Sequence, residues 1–258
     1  MLGKLFKHEW QDSWLIMTIL NGSVLLLSII GSRSVQRYFE ILDDMDMGGF
    51  IYSIYILLYV FGVIALTLAA TFYFYVRFYK NMYTDQGYLM HTLPVNHNEL
   101  IISKLLVALI WRVISFLVIF VGVFKVSFEI DDILEIIDNI DLVVSDVVLM
   151  IILLLGSALY SILVGYVSIS IGQFSSKNKV LASIGAYFGI KVVARILRSF
   201  LTFINLFTFK EMIEKFNDFD DPSTRASFML ILIVIIYIAC ALYYFITQWI
   251  MKNRLNLE

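Results

Sequence analysis

The chain lacks most of what a soluble enzyme is built from. Its one cysteine, Cys240, excludes an internal disulfide and, inside an apolar run, reads as a small buried hydrophobe. Two prolines and thirteen glycines leave no Pro-rich or Gly-rich linker, and no internal repeat occurs. The three histidines, His8, His91 and His97, flank apolar runs rather than lie in them, so the apolar segments offer no imidazoles for zinc. No Asp or Glu stands well inside a long apolar run, which argues against a glutamate-type intramembrane protease and against a carrier driven by buried carboxylates. Serines in those runs have no evident base. No G-x-x-x-x-G-K-[ST] sequence occurs, so this chain has no P-loop of its own, and without a basic soluble domain nothing points to nucleic acid.

What the chain has is apolar length. Hydrophobic residues make up 60% of its 258 residues, and the mean hydropathy of +0.86 belongs to an integral membrane protein. Runs long enough to span a bilayer lie at 14–31, 50–78, 105–124, 147–174, 181–203 and 226–251. The first lacks a small-residue cleavage site and follows Glu9 and Asp12, so it reads as a retained span rather than a signal peptide. Ahead of it, Leu2, Leu5, Phe6 and Trp10 share one helical face while Lys4, Lys7, His8 and Gln11 share the other, the pattern of an interfacial helix over 1–13. The expected fold is all-α, an integral membrane protein with six transmembrane helices over 14–258 and both termini on one side.

Lysine and arginine set the expected orientation. Lys4, Lys7, Arg77, Lys80, Lys104, Lys177, Lys179, Lys252 and Arg254 gather on one side, against Arg33, Arg37, Lys125, Lys210, Lys215 and Arg225 in longer segments on the other, so the termini are read as cytoplasmic. The acidic residues, most of them on that other side, sharpen the contrast without deciding it. Residues 129–146 on the outer side alternate an isoleucine face with a carboxylate face and read as an amphipathic helix at the outer mouth, with a solvated acidic face or a gate as its alternatives. Asp43, Asp44 and Asp46 suggest a calcium loop, but Tyr55 stands where its closing glutamate belongs.

Two spans carry unusual residues. In the fourth, Ser157, Ser161 and Gly165 recur every four residues, with Ser168 and Gly172 close to the same face, a spacing that lets helix backbones approach. In the fifth, Lys191, Arg195 and Arg198 fall in one narrow helical sector with no acidic residue in that run. A cation at a span's centre costs about 2.5–3.5 kcal/mol on insertion scales, so these side chains must face protein, water or a headgroup. They are candidates for a translocation path, with ion pairing or snorkelling to the outer headgroups as the structural alternative. Arg112, alone in the third span, is expected to have a partner or to snorkel.

The chain's organising feature is the polar interruption between the second and third spans. Pro94 ends the short run from Gly87 to Leu93. Asn96 and Glu99 then form a capping box, with Val95 and Leu100 placed as its hydrophobic staple. Gly87, Tyr88, Leu89, Thr92, Leu93 and Pro94 thus form a compact knob within about 85–95. This run, YTDQGYLMHTLPVNHNELIISKLL, and the opening MLGKLFKHEW resemble the ABC-2 type permease subunits of bacterial ABC exporters, especially small Gram-positive permeases that export phenol-soluble modulins or lantibiotics.

The resemblance implies a type V exporter architecture, in which an amphipathic elbow helix precedes six spans and the knob is a coupling helix seated on an ABC ATPase subunit. It implies that ATP and Mg are held by that separate ATPase, with no cofactor in this chain and no enzyme activity of its own. It also implies a second permease copy, as homodimer or heterodimer, in a bacterial plasma membrane. Amphipathic peptides are the substrate class of the permeases resembled, with hydrophobic drugs or lipids as the alternative. A non-transporting membrane scaffold or sensor subunit would share the six spans but not substrate-stimulated ATP hydrolysis.

Overall fold

The computed structural model describes residues 2–42, 47–84, 87, 96–127, 144–175, 177–208 and 222–253. The described regular structure is helical: α1 (Leu2–Leu42), α2 (Met47–Tyr83), α3 (His97–Ser127), α4 (Val144–Gly172), α5 (Lys179–Thr208) and α6 (Pro222–Asn253). Each contains a segment long and apolar enough to cross a membrane, and these match the six expected spans one to one. In hydrocarbon a backbone must satisfy its own hydrogen bonds, so even Val- and Ile-rich runs adopt helices. Leu57, Phe61, Leu181 and Phe245 stay exposed on these helices, as suits apolar side chains whose solvent is lipid.

The helices divide into two compact units, Met1–Phe74 with Leu106–Asp141, and Tyr75–Leu105 with Leu142–Glu258. In the first, α2 runs antiparallel to α1, with the Tyr55 hydroxyl donating to the Leu27 carbonyl at 3.0 Å and the Tyr73 hydroxyl to that of Asp12 at 3.2 Å. Val24, Tyr59 and Leu66 form its core, backed by Leu20, Val63 and Val118. Arg112 has its partner here, donating to the Thr71 hydroxyl at 2.7 Å.

α1 is continuous through residues 13 and 14, where a boundary between interfacial helix and span was expected. No Gly or Pro interrupts Lys4 to Asn21, and the Ser13 hydroxyl bonds back to the Glu9 carbonyl at 2.9 Å. Trp10 stacks on Trp111 of α3 with ring centroids 4.9 Å apart, and Phe6 on Trp10 at 6.1 Å. Part of the amphipathic face is therefore engaged by α3. The buried face of α1 is unusually polar, comprising Glu9, Ser13, Met17, Asn21, Val24 and Ser28.

In the second unit α4 is the central helix, buried continuously from Ile162 to Ser170. Its glycines serve packing within the chain, since a Cβ at Gly165 would collide with the Tyr75 ring, one at Gly172 with Ser183, and one at Gly156 with Tyr237, whereas Ser157 of the expected stripe is exposed. The last turns of α2 run parallel to α4. Phe78 stacks on Tyr166 at 3.8 Å and 7° between planes, and the Tyr83 hydroxyl lies 2.7 Å from that of Ser170. α6 also runs parallel to α4, joined by Tyr237 donating to the Ile152 carbonyl, by Cys240 against that of Gly156, and by an Arg225–Asp146 ion pair at 3.3 Å. Cys240 is buried, as its sequence context required.

Two expectations need correction. Lys104 lies within α3 and is only 4% exposed, so it is not a loop charge. Asp146 is 3% exposed and faces Arg225, so it is not part of a solvated acidic surface. In both cases the helix extends past the apolar run and carries the charge into the packed part. The rest of the acidic segment, residues 128–143, lies outside the described residues.

Candidate functional site

α5 carries a polar ridge at a spacing of four: Lys179, Ser183, Tyr187, Lys191 and Arg195. Residues four apart on a helix stack into one row that drifts slowly around the axis. The row is buried at Ser183, whose hydroxyl donates to the Lys179 carbonyl at 2.8 Å beside Gly172, and is exposed at Lys191 and Arg195.

Tyrosines surround the exposed part. The Lys191 ammonium lies 5.8 Å from the Tyr160 ring centroid and 5.6 Å from that of Tyr187. Tyr160 in turn meets Tyr243 of α6 at 5.7 Å, and Tyr187 meets Tyr75 of α2 at 6.2 Å. A cation–π contact at an exposed cation stabilises by about 0.5–1 kcal/mol, so the two faces offset part of the roughly 2.5–3.5 kcal/mol that a lysine costs at mid-span. No acid among the described residues pairs with Lys191. Among the described residues Arg195 has neither ion pair nor ring contact. The side chain of Arg198, third of the expected stripe, lies outside the described residues.

The second candidate is the α2–α3 connection. Tyr88, Leu89, Thr92, Leu93 and Pro94 lie outside the described residues. Gly87 is described, and its N–H donates to the Thr84 carbonyl at 2.7 Å. A Cβ there would stand 2.7 Å from the Met82 carbonyl oxygen, which is why the position takes glycine. Asn96 immediately precedes α3 and accepts from the Glu99 and Leu100 N–H groups at 2.9 and 3.3 Å, the backbone pattern of an N-cap. Both flanks are anchored: Phe78 and Met82 before the connection, and Leu100, Ile101 and Lys104 after it, are almost fully buried.

Sequence reasoning found the cations but missed the tyrosines. Tyr187 was within reach, one turn before Lys191, whereas Tyr160 and Tyr243 are brought in by tertiary packing alone. Among the described residues no three His, Cys, Asp or Glu side chains converge to hold a metal. Comparison of the chain with known family models, curated proteins and solved structures returns no match.

Proposed function

We propose that this chain is the membrane-spanning subunit of an ATP-driven exporter of the ABC-2 type. It works with a separate ATPase subunit and a second permease copy to move an amphipathic peptide or hydrophobic compound outward across a bacterial plasma membrane. The first turns of α1 take the place of the family's elbow helix, and Gly87 to Pro94 that of its coupling helix. The termini face the cytoplasm, as the lysine and arginine asymmetry requires.

One observation supports this reading above the others. The connection resembling a coupling helix and the cationic ridge of α5 belong to the same compact unit, Tyr75–Leu105 with Leu142–Glu258. A push on the connection is delivered to packed helix ends, and α4 links α2 to α5 through Tyr75, Gly165 and the Gly172–Ser183 contact. Force applied by an ATPase and a charged path for cargo would then be mechanically continuous.

The decisive experiment isolates the tagged chain from its native membrane under mild detergent and identifies what accompanies it. The expected complex contains an ABC ATPase and hydrolyses ATP faster when an amphipathic peptide is added. Isolation of an intact chain without an ATPase, or a complex whose hydrolysis ignores every amphiphile offered, would overturn the exporter reading.

A further inference from the structure

We propose that Lys191 and Arg195, at the exposed end of the α5 ridge, bind the carboxylate of an amphipathic peptide. This rests on the exporter reading and specifies its substrate class.

The first support is unused donor capacity. An ammonium has three N–H donors and a guanidinium five. Tyr160 and Tyr187 offer Lys191 their ring faces, which neutralise part of its field but accept no conventional hydrogen bond. Both cations are exposed, and they sit one helical turn apart, about 6 Å along the axis. A single carboxylate, with two oxygens, fits between a point charge and a planar fork.

Depth narrows the source of the anion. Lys191 lies about 18 Å along α5 from Lys179, near the middle of a bilayer whose hydrocarbon is about 30 Å thick. A phospholipid phosphate at the interface would have to move about 12 Å into the hydrocarbon to meet Lys191, though only about half as far to meet Arg195. Among the described residues a second copy of this chain offers no acid at this depth. α2, α5 and α6 contain no Asp or Glu, and those of α1, α3 and α4, Glu9, Asp12, Glu40, Glu99 and Asp146, lie toward helix ends. With no acid at this depth among the described residues, the site is assigned to a cargo.

The surroundings say what else that cargo carries. Ile184, Phe188, Val192 and Ile196 form an exposed apolar row beside the ridge. A ligand with an apolar face and a carboxylate at its edge, such as an amphipathic helix with a free C-terminus, complements both rows. Two moderate contacts rather than an enclosed cage also permit release.

The test uses the purified full chain in phosphatidylcholine nanodiscs without any ATPase, so it does not depend on transport. A fluorescent amphipathic helical peptide is offered as the free acid and as the C-terminal amide, and binding is read by anisotropy. The acid should bind roughly ten-fold more tightly, the usual worth of one charge-assisted hydrogen bond. That preference should vanish in Lys191→Gln with Arg195→Gln, survive in Lys191→Arg, and be untouched by Lys252→Gln, while amide binding stays constant as the check on folding. Equal affinity for acid and amide in the unmodified chain would overturn the proposal, as would a preference that persists in the double variant. Loss of the preference when phosphatidylglycerol is added would assign the site to lipid phosphate instead. Oligomers that dissociate in the double variant would assign it to a second copy. A chain that reads the carboxylate but brings down no ATPase would keep this site and lose the exporter function.

Discussion

Tyr75 lays its ring in the notch at Gly165 and donates its hydroxyl hydrogen to the Ser161 carbonyl oxygen 2.6 Å away. The aromatic ring thus takes the space that a side chain on α4 would fill, one turn above the carbonyl it bonds.

Gly165→Ala is expected to destabilise the chain by about 1–3 kcal/mol, the usual cost of overpacking. Gly185→Ala and Gly189→Ala, where an added Cβ meets nothing within 4 Å, should be neutral or stabilise by about 0.5–1 kcal/mol through the better helix former. Thermal midpoints of the three purified variants, followed by tryptophan fluorescence, give the comparison. Equal losses at all three sites would contradict the notch.

Trp111 donates its indole N–H to the Ser13 hydroxyl at 3.1 Å in a buried setting. Ser13→Ala should cost about 1–3 kcal/mol by leaving that donor unmade. In a Trp111→Phe background the same change should cost much less, because the donor is already gone. A double-mutant cycle on unfolding in detergent measures the coupling, and strict additivity would deny it.

The Arg225–Asp146 pair ties the first turns of α6 and α4. Asp146→Asn alone should cost about 1–3 kcal/mol, less than for a fully buried pair because the Arg225 side chain is partly exposed. Asp146→Leu combined with Arg225→Met should recover most of it, since neither charge is then stranded. Resistance to proteolysis in detergent reads both changes. A double variant as fragile as the single one would show that the pair contributes more than mutual neutralisation.

At the α2–α3 connection, Gly87→Ala forces a Cβ against the Met82 carbonyl. The variant should insert and keep its helical content, since both flanking helices are anchored elsewhere, but recover less ATPase on co-purification. Charged residues at Leu89 and Leu93 should do the same. Full recovery and full peptide stimulation with all three changes would mark the connection as an ordinary loop.

Orientation is checked with single cysteines in a Cys240→Ser background. Those at Asp44, Asp138 and Asp218 should react with impermeant thiol reagents applied outside intact cells, and one at Asn178 should not. Outside labelling at Asn178 would reverse the topology.

The six helices were legible because apolar length alone decides them: a run such as Val147 to Phe174 has no other way to satisfy its backbone in lipid. Gly165 and Gly172 were legible as packing residues by their spacing. The identities of the residues that fill those notches, Tyr75 and Ser183, were not, because they come from other helices and follow no periodicity in α4. Lys191 stood out as a charge in an apolar helix, whereas its tyrosine partners look like any other tyrosine in a chain with fifteen of them. The fate of Asp146 was hidden for a different reason. It closes a run of acidic residues, and only the start of α4 separates it from them.

The polar inner face of α1 bears on biogenesis. α1 is the least apolar of the six candidate spans, and Glu9, Ser13, Asn21 and Ser28 are all buried, with Trp111 of α3 bonded to Ser13 and Gly122 of α3 beside Ser28. As the chain emerges from a translocation channel, α1 precedes Trp111 by nearly a hundred residues. The buried polar strip of α1 is therefore a surface completed late, because Trp111, which closes over Ser13, lies 98 residues further along the chain.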